Sequence, residues 1–376
     1  MRILFVSASS GSRGGGEIFL VYLGAALRAR GHEVGLWISD HSRMDELAAA
    51  FAPHGDVLRG SYPWFYDSWH RGLLGELTGP ADHARWREQW SAWKPDVIHV
   101  NKQCLEDGLD LLVAAAGMAI PHLATIHITQ TARSLGARLG GLRDRRARRA
   151  LQACRVPLVA VGTARGEELR ALLGPHARVE VIDNGVPPAT PCPDRAALRT
   201  REGLAPETFA VVAVGRLEAQ KNPLRFLREI HRLLPASPGL RARWIGGGRL
   251  EPDWLSLRNE LGLDEIVRLD SWRSDVAEVL PAFDLFLHTA DFEGLPLALL
   301  EAMNAGLPAA VAEGVRAQLP PHLREHTVTP DANLGALIAD RPRLAALAAA
   351  GRDAVRRHHS VDTMAAAYET LYRTLP

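Results

Sequence analysis

DFEGLPLALLEAMNAGLP, residues 291–308, closely follows a short apolar run, Phe283-Asp284-Leu285-Phe286-Leu287. The run has the length and apolar character of a buried parallel strand. Gly294 and Pro296 mark a turn, Leu297 to Ala305 reads as a helix, and Gly306 with Pro308 stops it. Strand, glycine-bearing loop and helix in that order aim backbone N–H groups at whatever lies above the strand's carboxyl end. That is a favourable place for an anion. Glu293 stands in the loop and Glu301 in the second helical turn, eight positions on. Glu301 is flanked by Leu297, Leu300, Ala302 and Ala305, so its carboxylate needs hydrogen-bond donors. A vicinal diol such as a ribose supplies two; an arginine on a neighbouring helix would serve as well.

The alternation that frames this stretch runs through the second half of the chain. Phe209 to Val214 reads as a strand, Gly215 to Lys221 as a loop, and a helix starts at Pro223, a residue suited to the first helical position. Arg216 and Lys221 lie between strand and helix. Two cations beside a helix N-terminus suit a pyrophosphate, and they also suit an ordinary surface turn. Further strands are expected at Ala242 to Ile245, followed by Gly246-Gly247-Gly248, at Ile266 to Leu269, and at Ala309 to Val311. Glu313-Gly314-Val315 reads as a turn, Leu334 to Arg356 as an Ala-rich helix, and Ser360 to Leu375 as a last helix capped by Ser360 and Asp362.

The first half repeats the pattern. Ile3 to Val6, the loop Ser10 to Gly16, a helix Glu17 to Arg30 ended by Gly31, and His32 to Ile38 make a βαβ unit. The glycines allow close approach of a phosphate, or simply a tight βα turn. Their spacing is not G-x-G-x-x-G, and Asp40 is the only acid at the end of the second strand, so a nicotinamide dinucleotide is disfavoured. Trp86, Trp90 and Trp93 recur at helical spacing and read as a core-facing stripe. Tyr62, Trp64, Phe65, Tyr66 and Trp69 have no period, and suit a loop that stacks on a sugar ring.

Asp96 to Val100 and Pro121 to His127 are further strands, with a helix from Leu109 to Met118 between them; Leu158 to Val161 reads as another strand, Thr163 to Leu173 as a helix, and Val179 to Ile182 as the run that follows it. His127 falls at a strand's carboxyl end, where α/β sheets place functional groups, although a lone histidine also serves structure. His99 shares the signal more weakly. Arg133 to Arg149 holds seven arginines and one acid, Asp144. Such a run is a solvated helix face, or a contact for an anionic acceptor or a membrane surface. Asp183-Asn184-Gly185-Val186 and the proline-rich Pro187 to Pro193 read as the close of a first domain and a linker.

The whole chain fits this division. Its 376 residues suffice for two domains, and an apolar fraction of 47% is that of a globular protein. A net charge of +1 gives no general case for nucleic acid. Cys104, Cys154 and Cys192 suggest neither a disulfide framework nor zinc, and fit a reducing cytoplasm. The apolar start, Ile3 to Val6, is too short for a signal peptide's core, and no run is long enough to span a bilayer.

Together these motifs resemble those of retaining glycosyltransferases of the GT-B fold, family 4 (glycosyl transferases group 1). E-G-L-P-L-A-L-L-E, from Glu293 to Glu301, looks like that family's E-x7-E motif, and G-R-L-x-x-x-K, from Gly215 to Lys221, looks like its second motif. The resemblance implies two Rossmann-like doubly wound α/β domains facing a central cleft. An acceptor-binding domain over 1–187 and a nucleotide-sugar-binding domain over 188–358 would be followed by a helix over 359–376 that crosses back to the first. It implies that Arg216 and Lys221 hold the donor diphosphate, that Gly294, Leu295 and Pro296 meet sugar and phosphate, that Glu301 binds the ribose, and that Glu293 lies at the donor sugar. Gly15 and Gly16 resemble the family's loop near the donor phosphates, and His127 its histidine beside the donor sugar. The activity implied is hexosyl transfer from a nucleoside-diphosphate sugar, a UDP-sugar by default, with retention. The acceptor would be a small molecule, a glycan or a lipid-linked glycan. The sequence has no D-x-D, so the resemblance implies cationic side chains in place of a metal and no cofactor beyond the sugar nucleotide. Three departures stand out: Asn222 where the family has glycine, Asp270 where it has Phe and Gly, and no paired glycine at Glu313-Gly314-Val315. A sugar-nucleotide epimerase of the same fold, or a non-catalytic nucleotide-sugar-binding subunit, would share the bound nucleotide.

Overall fold

Seven strands, all parallel, form the first sheet in a computed structural model that describes residues 1–62, 79–330 and 334–376. They are β1 (Arg2–Ser7), β2 (Glu33–Ser39), β3 (Asp56–Gly60), β4 (Val97–Lys102), β5 (His122–Ile126), β6 (Leu158–Ala160) and β7 (Val179–Val181), in the order β3-β2-β1-β4-β5-β6-β7. Helices cover both faces, so the central strands are apolar throughout: Ile3, Leu4, Phe5 and Val6 are fully buried. The strand order reverses between β1 and β4. At such a point the two flanking connections leave in opposite directions and open a crevice at the strands' carboxyl ends.

A second parallel sheet has β8 (Ala210–Val214), β9 (Arg241–Ile245), β10 (Val267–Asp270), β11 (Leu285–His288), β12 (Ala309–Val311) and β13 (Thr327–Val328), in the order β10-β9-β8-β11-β12-β13. Its reversal lies between β8 and β11, and those two strands are the ones followed by the motif loops. Phe226, Trp244 and Trp254 anchor its core.

The chain divides into two units, Met1–Asn184 with Val361–Pro376, and Gly185–Ser360. The first boundary lies after Asn184, three residues before the sequence expectation, and the second two residues after it. The last helix, Val361–Arg373, packs on the helix Gly15–Ala29 within the first unit. Its buried tyrosines enter a polar chain: His99 Nδ1 to Tyr372 OH, His99 Nε2 to Thr125 Oγ1, and Thr125 Oγ1 to Tyr368 OH, each 2.8 Å. Both ring nitrogens of His99 are therefore used in tying that helix to the sheet.

The tryptophan stripe is core, as its spacing suggests. Trp86 and Trp90 are fully buried on the helix Pro80–Trp93 and meet Trp37 edge to face. Tyr62, expected in the loop that stacks on a sugar ring, is instead buried in the core against Trp37 and Trp86, with its hydroxyl donating to Asp110 at 3.0 Å; Trp64, Phe65, Tyr66 and Trp69 lie outside the described residues. Three local expectations are corrected. The first helix starts at Gly15, not Glu17, so Gly15 and Gly16 are helical. Glu313–Arg316 is one turn of helix rather than a turn. The Ala-rich helix is two, Leu334–Ala339 and Arg341–His358, divided where Asp340 caps the second and Pro342 starts it. Among the described residues no helix is long and apolar enough to cross a membrane.

Candidate functional site

In the second unit, the loops after β8 and β11 come together at the carboxyl ends of adjacent strands. The Lys221 ammonium is ion-paired with Glu293 Oε1. Gln220 Nε2 donates to Glu293 Oε2 (3.3 Å) and to the Phe292 carbonyl (3.1 Å), and the Asp291 N–H returns to the Gln220 carbonyl at 2.9 Å. Asn222 adopts a left-handed conformation (φ 45°), where its side chain caps the helix Pro223–Leu233 and donates to Asp291 at 2.9 Å. Asparagine tolerates that conformation better than most residues, which accounts for its standing where glycine is usual. Glu293 is buried, and its charge is offset by Lys221.

Arg216, by contrast, is exposed, and its guanidinium makes no ion pair or hydrogen bond with the described residues. An arginine left unpaired beside a buried ion pair, at a sheet's reversal point, is a ready partner for an anion. His288 ends β11 with Nε2 at 3.8 Å from Glu293 Oε1. Burial, only partly opposed by the Glu293 charge, lowers its pKa to about 4, so it is neutral at pH 7. Glu301 is half-buried in the second turn of the helix Leu297–Asn304, and Gly294, Leu295 and Pro296 form the turn that leads into it. The glycines after β9 serve backbone packing: a Cβ on Gly246 would lie 2.3 Å from the Gly215 carbonyl oxygen, and one on Gly248 2.6 Å from that of Leu217. Asp270 belongs to a buried ion cluster with Arg243 (3.3 Å) and Arg273 (3.5 Å), shared with Glu202. It is thus engaged structurally.

In the first unit, the helix beginning at Gly15 follows β1, and Gln103 follows β4. The Gln103 side chain occupies the space a Cβ would need at Gly16 (2.2 Å), whereas a Cβ at Gly15 would meet no described atom within 4 Å. Gln103 Nε2 also reaches Ser9 (3.0 Å) and Glu17 (3.1 Å). Asn101 Nδ2 donates to the Gly16 carbonyl at 3.2 Å, which leaves Asn101 Oδ1 to accept from His127 Nε2 at 2.8 Å. His127 therefore carries its proton on Nε2 and presents Nδ1 as an acceptor. Burial lowers its pKa to about 3. A group so neutral can orient a hydroxyl, but it holds no proton to give as imidazolium at pH 7.

Five of the run's seven arginines lie on the helix Gly140–Cys154, which buries Ala147 and Leu151, while Arg133 and Arg138 precede it. Arg143 pairs with Glu106 at 2.8 Å, while Arg145, Arg148 and Arg149 are exposed. Beside them Leu135, Leu139 and Leu142 are 48%, 55% and 57% exposed.

The model of Glycosyltransferase Family 4 matches residues 13–190, and that of Glycosyl transferases group 1 matches residues 208–369. The chain belongs to the family 4 glycosyltransferases of the GT-B type. Among relatives of this chain is the Escherichia coli UDP-Gal:alpha-D-GlcNAc-diphosphoundecaprenol alpha-1,3-galactosyltransferase, 33% identical over 34% of each chain. Another is the D-inositol 3-phosphate glycosyltransferase of Actinosynnema mirum, 26% identical over 78% of this chain and 74% of that protein. The chain spans about a third of the length of the first curated relatives it matches. In fold it is similar to Anabaena Alr3699/HepE, solved in complex with UDP (TM-score 0.77, 22% identity, all of both chains). It is also similar to sucrose-phosphate synthase from Thermosynechococcus elongatus (TM-score 0.79, 18% identity, 99% of this chain and 98% of that one).

Gln220, His288, Asn101 and Gln103 are the neighbours that sequence reasoning passed over. His288 carries the same signal that singled out His127, a histidine at a strand's carboxyl end. The other three act through contacts to residues far away in sequence, and nothing local marks them.

Proposed function

We propose that the glycosyltransferase moves a hexosyl group from a UDP-sugar to an acceptor hydroxyl with retention at the anomeric carbon. The observation that carries this reading is the pairing of Lys221 with Glu293 beside the exposed Arg216 at the β8–β11 reversal. In this reading Arg216, Lys221 and the amides of Gly294 to Pro296 hold the diphosphate, and Glu301 holds the ribose. Glu293, its charge balanced by Lys221, orients the sugar and favours positive charge on the ring. A carboxylate tied to an ammonium is a poor nucleophile, which supports a front-face route. The bond from the anomeric carbon to the β-phosphate oxygen breaks, and the bond to the acceptor oxygen forms on the same face. The acceptor proton passes to the departing phosphate. The first unit, taken by itself, offers His127 Nδ1 as an acceptor for a hydroxyl and the helix start at Gly15–Gly16 for an anion. Two cations at the diphosphate supply the charge a metal would otherwise supply. UDP and galactose are named for the Escherichia coli relative and UDP for the Anabaena structure, which supports uridine as the base.

The test is thermal unfolding against UDP-, GDP-, ADP- and dTDP-sugars, with EDTA and then with Mg²⁺. A UDP-sugar at about 100 times its Kd stabilises by roughly 2.7 kcal/mol, and Arg216→Ala removes the shift. A shift only with Mg²⁺ overturns the cationic clamp, and none with any sugar nucleotide overturns the donor reading.

The exposed leucines and arginines around the helix Gly140–Cys154 favour an acceptor presented at an anionic membrane surface. Apolar side chains insert at the interface while arginines meet lipid phosphates. The protein is expected to sediment with vesicles containing phosphatidylglycerol and to lose that binding in Leu139→Ser/Leu142→Ser. Unchanged sedimentation of the variant would refute the assignment.

A further inference from the structure

At the amino-terminal end of the second sheet, away from the loops after β8 and β11, lies a cavity of about 630 Å³. That is within the range of small-molecule sites. One wall is the end of the helix Leu297–Asn304, and another is the helix Arg341–His358, which contributes Arg352 and Arg356. The two helices approach closely because residue 351 is glycine: a Cβ there would lie 2.9 Å from Met303 Cε. The approach lays the Arg352 guanidinium over Gly306, whose own Cβ would stand 3.3 Å from Nη1.

Arg352 is half-buried, its Nε is buried without a partner, and neither it nor Arg356 makes an ion pair or hydrogen bond with the described residues. Arginines four apart on a helix repel each other. A cation over a helix C-terminus is favourable by itself, which accounts for one of them and not for two. Among the described residues that line this cavity the acid is Asp284, and it is already held by Arg195 (2.7 Å) and Arg199 (3.1 Å). Asn304 supplies a second, independent signal. It lines the cavity and is 4% exposed; Nδ2 donates to the Pro187 carbonyl at 2.8 Å, and Oδ1 is buried without a partner among the described residues. An orphan acceptor in such a place costs free energy until a donor arrives.

We propose that this cavity binds a phosphate ester with a free hydroxyl. The phosphate pairs with Arg352 and Arg356, and the hydroxyl donates to Asn304 Oδ1. The site is separate from the proposed donor site and does not depend on it.

The test is calorimetric titration of the full chain with glycerol 3-phosphate and with inorganic phosphate. Glycerol 3-phosphate is expected to bind several-fold more tightly than phosphate. Its affinity should be unchanged in Arg216→Ala/Lys221→Ala and at least tenfold weaker in Arg352→Ala/Arg356→Ala. The exposed Arg356→Ala alone, which leaves the packing of Arg352 intact, should weaken it about threefold. Binding lost in Arg216→Ala/Lys221→Ala but kept in the Arg352/Arg356 variants would place the phosphate at the donor loops and overturn the proposal. No binding to the wild-type chain would overturn it too, and equal affinity for both probes would overturn the hydroxyl contact.

Discussion

Replacing Lys221 by methionine removes the cation that compensates Glu293 and leaves a carboxylate in a site whose side chain is 9% exposed. Breaking a fully buried pair costs about 3–5 kcal/mol. Here the Lys221 side chain is 18% exposed and Gln220 still donates at 3.3 Å, so the expected cost is roughly 2–3 kcal/mol. Glu293→Gln alone keeps an acceptor for the ammonium and should cost about 1 kcal/mol. The double variant removes both charges, and it should be less destabilised than the sum of the singles by at least ~1.5 kcal/mol. Amide hydrogen exchange in strand Leu285–His288 reports the second unit's stability directly, without requiring both units to unfold together. Additivity within about 0.5 kcal/mol would refute the pairing as a stabilising contact. The double variant should still fail to bind the sugar nucleotide, which separates the fold's use of the pair from the reaction's.

Other outcomes follow from the same structure. Arg216→Ala should leave stability within about 0.5 kcal/mol, because the side chain is exposed and unpaired, yet lower donor affinity at least tenfold in a UDP titration. His99 and His127 have folded pKa values of about 3, pushed down chiefly by burial. The unfolded chain therefore binds their protons first as pH falls below about 6.5, and each should remove ~1.4 kcal/mol per pH unit until its folded pKa is reached. Urea midpoints of the first unit at pH 7 and pH 5 should differ accordingly, and His99→Gln/His127→Gln should flatten the dependence. Gly24→Ala gains up to about 1 kcal/mol from helix propensity. A Cβ there lies 2.6 Å from the Phe51 ring, however, so overpacking at ~1–3 kcal/mol should win and lower Tm. Tyr372→Phe leaves His99 Nδ1 unpartnered and should cost about 1–3 kcal/mol by denaturation.

What the sequence made legible was whatever is local. The strands of both sheets are short apolar runs, so period and length located them to within a few residues, apart from the partly exposed β3 and the two-residue β13. The helices Asp45–Phe51 and Glu251–Glu260 went unread. The first is only seven residues long, and the second buries Trp254 alone and so carries almost no amphipathic period. Asp340 and Pro342 carry the signal for the break at residue 340, against the helix-favouring run of alanines around them. For the site, loop positions were legible because strand–loop–helix order fixes which loops sit at carboxyl ends. The partners were not: Lys221 and Glu293 are 72 residues apart, and the pairing exists only because β8 and β11 are neighbours. His127 shows the same limit. Its place was readable from the strand, but its proton position depends on Asn101, and its lowered pKa on burial.

The main chain passes from the first unit to the second after Asn184 and returns after Ser360. A ribosome therefore delivers most of the first unit's core well before the helix that completes it. At about 5–20 residues per second, making the intervening unit takes on the order of ten seconds or more. Throughout that time His99 and Thr125 lack Tyr372 and Tyr368, and the groove that receives Met364 and Ala365 is open to water and to other nascent chains. The second unit, encoded without interruption, can finish first. The first is thus a natural client for chaperones that hold rather than fold. A circular permutant opened between Asn184 and Gly185, with the ends near Met1 and Pro376 joined, would supply the missing helix just before the rest of its unit and should shed that dependence.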